Sequence, residues 1–142
     1  MDKVLVSACL LGTPCRYDGR SKADTRIQAL AEKYDLVPVC PEQLGGLPTP
    51  RVPSERRGER VITDDGRDVT AEYRRGAAAA LALCLQNGCK AAVLMEKSPS
   101  CGCGQVYDGT FSRRLIEGDG VTAELLKAHG VAVYGESGAE KL

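Results

Sequence analysis

Lys3 to Ala8 carries an apolar run with little alternation, the pattern of an interior parallel strand covered on both faces. Three further short apolar runs follow, Leu36 to Val39, Lys90 to Met95 and Val131 to Tyr134, and between them the period changes to that of helices. Asp24 is placed to cap a helix over about Thr25 to Tyr34, whose buried stripe is Ile27, Leu30 and Ala31. Thr70 offers a cap for a helix over Ala71 to Gln86, which Asn87-Gly88 ends. Thr122 does the same for a last helix running through His129 and stopped by Gly130. The middle helix is rich in alanine at positions 77, 78, 79, 80 and 82, so its backbone can approach a sheet closely.

Strands alternating with helices predict an α/β fold. The expectation is a single three-layer Rossmann-like domain spanning residues 1–142, with a mostly parallel sheet of four or five strands and helices on both faces. In such sheets the ligand crevice lies outside the carboxyl ends of the strands. Two irregular regions interrupt the alternation. Residues 43–59 hold Gly45, Gly46, Pro48, Pro50 and Pro53, too dense in breakers for regular structure, and read as a lid over that crevice. A short hairpin is expected next, pairing Arg60 to Ile62 with Arg67 to Val69 around Asp65-Gly66. The second region, Ser98 to Gly120, is glycine-rich.

Charge removes one class of partner. The 19 basic and 19 acidic side chains cancel, no block of one sign tracks a phosphate backbone, and one Phe with no Trp leaves little for base stacking, so there is no strong nucleic-acid signal. No apolar run is long enough to span a bilayer and no charged start precedes an apolar signal segment, so a cytoplasmic protein is expected. In that compartment seven cysteines suggest metal binding or catalysis before disulfides.

Three of the seven follow predicted strand ends: Cys9, Cys40 and Cys101. Thiolates gathered at one sheet edge are the usual holders of an iron–sulfur cluster or a zinc ion. Each cysteine taken singly also reads as a small buried apolar side chain. Cys9 and Cys15, six positions apart, lack zinc-knuckle spacing; Cys84 and Cys89 read as space fillers; and Cys101 with Cys103 offers a paired-thiol alternative. The lone His129 sits in a last helical turn, where a structural role is the simpler reading, so neither an imidazole-based zinc hydrolase nor a hydrolytic triad through Ser98 or Ser100 is expected. There is no Walker A pattern and no dinucleotide loop.

Three segments taken together carry a resemblance. Val-Ser-Ala-Cys9-Leu-Leu-Gly with Cys15-Arg-Tyr-Asp-Gly, then Val-Cys40-Pro-Glu42, then Lys-Ser98-Pro-Ser-Cys101-Gly, closely resemble the bacterial thiouracil desulfurase family, and the likeness continues through Tyr107 to Phe111 and Gly118 to Ala123. The resemblance implies a [4Fe-4S] cluster held by only three cysteines. By position these are Cys9, Cys40 and Cys101, with Cys15 the rival for one place. It implies a non-redox desulfuration of a thiolated pyrimidine, free or as a nucleoside or nucleotide, in which C=S becomes C=O and sulfide leaves. Glu42 would activate the water or shuttle protons, and Ser98 would position substrate or relay a proton. Arg16 and Tyr17 sit where they can touch substrate or simply brace their loop, and Arg51, Arg56 and Arg57 of the lid read as a solvated loop face that could hold a phosphate. Two other readings compete: a sulfur or cluster carrier without turnover, and a zinc-stabilised interaction module.

Overall fold

The computed structural model describes residues 1–142. In chain order the elements are β1 (Lys3–Ser7), α1 (Thr25–Gln28), β2 (Asp35–Val39), α2 (Pro41–Leu44), β3 (Ser54–Arg57), β4 (Arg60–Thr63), α3 (Thr70–Asn87), β5 (Ala91–Leu94), β6 (Gln105–Tyr107), β7 (Leu115–Glu117), α4 (Val121–Ala128) and β8 (Ala132–Gly135). The four apolar runs form one sheet in the order β2-β1-β5-β8, parallel throughout.

Its central strands are covered on both sides, as their composition requires. Val4 and Val6 pack with Ile27 and Ala139 on one face, while Leu5 meets Ala80, Cys84, Ala123 and Leu126 on the other. The helices α3 and α4 therefore cover the second face. The first is covered more thinly, by α1 and the 3-10 turns Ala8–Leu11, Ala29–Glu32 and Glu136–Lys141.

The small residues of α3 serve a second contact besides the sheet. A Cβ on Gly76 would run into the carbonyl of Pro41, and one on Gly45 into the carbonyl of Glu72. Backbone thus lies directly on backbone where α2 crosses α3, and the position of α2 fixes the flanking Cys40 and Glu42.

Several expected boundaries move, each for a local reason. Asp24 does cap α1, accepting from the Arg26 N–H at 2.9 Å, but the helix tightens into a 3-10 turn after Gln28 and does not run to Tyr34. Thr70 is not a cap, because its hydroxyl accepts the N–H of Val61 at 2.8 Å while Asp68 takes the N–H of Thr70. Thr122 lies inside α4, fully buried, with its hydroxyl 2.8 Å from that of Ser100. The hairpin is β3 with β4, turning at Gly58-Glu59. The expected turn at Asp65-Gly66 also forms, braced by Thr63, and the chain pairs back through one antiparallel bridge, Ile62 to Asp68, with the N–H groups of Thr63 and Val69 donating to the Arg67 and Val61 carbonyls at 2.8 and 2.9 Å. The segment expected to form a lid is irregular only between α2 and β3, because its prolines end at Pro53 and leave Ser54–Arg57 free to pair. A second hairpin, β6 with β7, lies within the glycine-rich region. No helix is long and apolar enough to cross a membrane.

Candidate functional site

The strands β2, β1 and β5 are neighbours, and the loops leaving their carboxyl ends enclose a cavity of about 610 Å³. Cys9, Cys15, Cys40 and Cys101 all line it, together with Glu42 and Ser98. Chain direction reverses its progress across the sheet at β1, and this switch point is where a parallel α/β sheet opens a crevice.

Cys9 follows β1 on a 3-10 turn, its thiol 3.4 Å from the Met95 thioether at the end of β5. Cys40 precedes α2, and its thiol points at the Cys15 carbonyl, 3.8 Å away. The Cys15 side chain interacts with both Cys40 and Cys9: the contact with Cys40 lowers its pKa, but the contact with Cys9, burial and the Cys9 charge outweigh it and leave the thiol at about 11. Cys15, followed by burial, pushes the Cys40 thiol far up. Burial drives Cys101 up to about 12, against hydrogen bonds with Ser7 and Ser100 and with the charges of Glu42 and Cys40 adding to the rise. Burial and crowding hold Cys15, Cys40 and Cys101 in their protonated forms, a cost that a cationic guest would relieve.

The loop bearing Cys101 is clasped by α4. Gly120, Val121 and Thr122 donate their N–H groups to the carbonyls of Gly102, Pro99 and Ser100 at 2.7 to 2.9 Å. Ser98 closes the turn from inside, its hydroxyl oxygen accepting the N–H of Ser100 and of Cys101, each at 3.1 Å. Those two bonds use both acceptor sites of the buried oxygen, so its proton remains available to a partner in the cavity.

Glu42 is held from two sides. Its Oε2 accepts from the Arg51 Nε at 2.8 Å and from the Arg51 terminal nitrogen, and its Oε1 faces the Tyr73 hydroxyl at 3.2 Å. Burial, then the Glu42 charge, push the Tyr73 hydroxyl well up, so it stays a proton donor to that carboxylate. Neither Arg51 nor Tyr73 was marked by sequence as a partner of Glu42. Arg51 carried a signal only as one of several lid arginines, and Tyr73 carried none.

The other residues singled out by sequence divide clearly. Arg16 and Tyr17 line the cavity; the guanidinium stands 5.8 Å from the ring centroid of Tyr17, 3.9 Å from Asp18, and its Nε is buried with no hydrogen-bond partner. The lid arginines are committed elsewhere, Arg56 to Gly58, Asp119 and Glu124 and Arg57 to the Gly109 carbonyl. Cys84 and Cys89 adjoin each other at the end of α3, Cys103 lies against the Val133 carbonyl, and His129 ends α4 with Nδ1 3.0 Å from the Leu125 carbonyl. None of these four lines the cavity.

The donor set suits a cluster better than one ion. No three of the chain's His, Cys, Asp and Glu side chains meet at single-ion spacing, where bonds to sulfur are about 2.3 Å long. A cluster presents separate irons at its corners and accepts thiols that stand further apart. All four are soft sulfur donors, the ligand type iron–sulfur clusters take.

Comparison with known proteins agrees with this chemistry. The family model described as 2-thiouracil desulfurase matches residues 4–138. A Bacillus subtilis (strain 168) protein, uncharacterized protein YbbK, is 44% identical over 144 residues, covering 94% of this chain and 95% of its own. A solved structure described as the [4Fe-4S]-dependent thiouracil desulfidase TudS superposes with a TM-score of 0.94 at 49% identity, over 100% of this chain and 95% of that one.

Proposed function

The chain belongs to the 2-thiouracil desulfurase family, and from that premise we propose that it is a [4Fe-4S]-dependent enzyme exchanging the thiocarbonyl sulfur of a thiouracil for oxygen. The reaction is non-redox. One water supplies the oxygen, and the sulfur leaves as hydrogen sulfide with the two protons of that water.

Cys9, Cys40 and Cys101 are the proposed cluster ligands. They come from three adjacent strand ends and so approach a guest from three directions, whereas Cys15 shares its loop with Cys9. Cys15 is then the neighbouring thiol, in contact with two ligand sulfurs. When bound, the cluster supplies an iron without a protein ligand, a thiophilic Lewis acid suited to a thiocarbonyl sulfur.

The residues of the chain do the rest. Glu42 faces the cavity with both oxygens tethered, so it can take a proton from the water that attacks the ring carbon without swinging away. Ser98, with its oxygen held by two N–H groups, directs its own proton into the cavity toward substrate. Arg16 and Tyr17 form the wall from the Cys9 loop, where the Arg16 guanidinium is a donor group for a pyrimidine oxygen.

The observation that carries this reading is the meeting of Glu42, Ser98 and four thiols in one cavity. Its test is anaerobic reconstitution followed by 2-thiouracil and 4-thiouracil turnover, with iron measured in each Cys→Ser variant. Changing Cys9, Cys40 or Cys101 should abolish iron binding, Cys15→Ser should retain it, and Glu42→Gln should keep the iron and lose turnover. No sulfide release by the reconstituted parent protein would sink the desulfurase reading.

A further inference from the structure

Three residues other than glycine adopt left-handed backbone, Lys97 (φ 70°), Phe111 (φ 58°) and Arg113 (φ 62°), and all three line the cavity just described. Side chains seldom tolerate this conformation, bulky ones least, and where it persists the surroundings must impose it. For Phe111 the imposing groups are identifiable. The Glu55 carboxylate on β3 accepts the N–H of Gly109 at 2.9 Å and that of Phe111 at 3.1 Å. Arg57, from the same strand, donates its Nε to the Gly109 carbonyl at 2.6 Å and packs so closely that a Cβ on Gly109 would strike its side chain.

The held residue is the chain's single phenylalanine, and it belongs to none of the three hydrophobic clusters. An aromatic ring of that size ordinarily earns its place by core burial. This one is half-buried against the cavity, at the cost of a disfavoured backbone. Hydrophobic packing does not account for it. A flat π-face at the wall of a cavity that takes a flat heterocycle does.

We propose that Phe111 stacks on the pyrimidine ring of the substrate and sets its orientation, with Glu55 as the positioning residue that holds the 109–111 turn in place. The proposal rests on the desulfurase reading for the identity of the ring. Stacking contributes equally to ground and transition states unless the ring moves, so its loss should appear chiefly in KM.

The test uses uracil, which keeps the ring and lacks the sulfur, titrated calorimetrically into anaerobically reconstituted protein, alongside steady-state kinetics with 2-thiouracil. Phe111→Ala should weaken uracil binding about tenfold, a typical loss for one base–aromatic contact. It should raise KM by a similar factor with little change in kcat, and Phe111→Tyr should restore both. Glu55→Ala, which leaves the ring in the chain but frees the turn, should raise KM too, and Glu55→Gln, whose carbonyl still accepts both N–H groups, should recover most of it. Parent-like uracil affinity in Phe111→Ala, with its iron content and melting temperature intact, would overturn the stacking role. Absence of thiouracil turnover in the parent would instead count against the desulfurase reading, and the uracil titration would still decide the clamp.

Discussion

Arg51 joins the Glu42 carboxylate to the backbone of the cysteine loop, donating from Nε to Glu42 at 2.8 Å and from a terminal nitrogen to the Cys15 carbonyl at 3.0 Å. Its remaining terminal nitrogen reaches the Pro48 carbonyl and the Thr49 hydroxyl, and its backbone N–H donates to the Tyr17 carbonyl at 2.7 Å. One side chain therefore ties together the proline-rich segment, the Glu42 carboxylate and the loop that carries Cys9 and Cys15.

Removing that tie should be costly. Arg51 is 7% exposed and Glu42 12%, so Arg51→Ala strands a nearly buried carboxylate, a change that typically costs about 3–5 kcal/mol. Urea unfolding should register a loss of that order, together with a large fall in kcat. Arg51→Lys should not rescue either, because one ammonium cannot reproduce a planar fork that serves four acceptors. A lysine variant with parent-like stability and turnover would contradict this account.

Ser98 has a structural task as well as its proposed chemical one. Ser98→Ala leaves the N–H groups of Ser100 and Cys101 without their acceptor in a buried turn, for a penalty of about 1–3 kcal/mol. The expected outcome is a loss of both turnover and iron retention. Ser98→Thr, which keeps the oxygen, should hold iron at the parent level. Full iron retention by Ser98→Ala would show that the turn stands without the hydroxyl.

How much of this was readable from the chain depends on the range of the interactions involved. The parallel sheet was legible because Val4, Leu5 and Val6 are apolar on both faces, a local pattern with one good explanation. Cys9 and Cys40 were legible as candidates because they follow strand ends directly, whereas Glu42 was marked only by the family resemblance. The strand β3 was not legible: Arg60 to Thr63 pairs with β3 on one side and bridges to Asp68 on the other, and β3 is further held by Glu55 and Arg57 against the 109–111 turn, contacts more than 50 positions away. The same holds for Arg51. Its composition suggested a free cation on a lid, and only the fold brings Glu42 to it. Thr70 and Thr122 misled for the opposite reason, since local capping rules fit them and tertiary partners claimed their hydroxyls.

The crowded thiols give the cluster-free protein a distinct response to pH. Cys15 and Cys101 rise from 9.0 to about 11 and about 12 in the folded state, the first because Cys9 and burial outweigh the lowering contact with Cys40, the second through burial foremost. Raised values mean that the folded state holds these protons more tightly than the unfolded chain. Their contribution is fully present below pH 9 and is lost as pH climbs through 11 and 12. Cluster-free protein should accordingly lose stability to urea from about pH 9 upward, and Cys101→Ala should flatten that slope. Tyr73, also raised by burial and by Glu42, acts in the same direction, so Tyr73→Phe serves as the control that isolates the thiol contribution. Stability independent of pH between 8 and 11 would speak against thiols held this way.

A more remote substitution should disable the site through packing alone. Gly76 lies in the middle of α3, where alanine is ordinarily the better helix former by about 0.8–1.0 kcal/mol, so helix propensity predicts that Gly76→Ala stabilises the protein. The structure predicts the reverse. The added methyl would occupy the space of the Pro41 carbonyl, with the Gly45 backbone 3.2 Å away, and neither is a flexible side chain that can yield. Relief requires α2 to lift from α3, and α2 carries Glu42 while Cys40 immediately precedes it. Cys40 would then leave the thiol group and Glu42 would leave Tyr73, which is itself on α3. Gly76→Ala should lower the melting temperature, reduce iron uptake and suppress turnover, although the residue lines no part of the cavity. Ala77→Gly, one position along and also buried, offers the matched comparison: it weakens the helix by a similar propensity term while adding no atom against α2, and should retain iron. If both variants behaved alike, propensity and not the α2–α3 contact would govern this region.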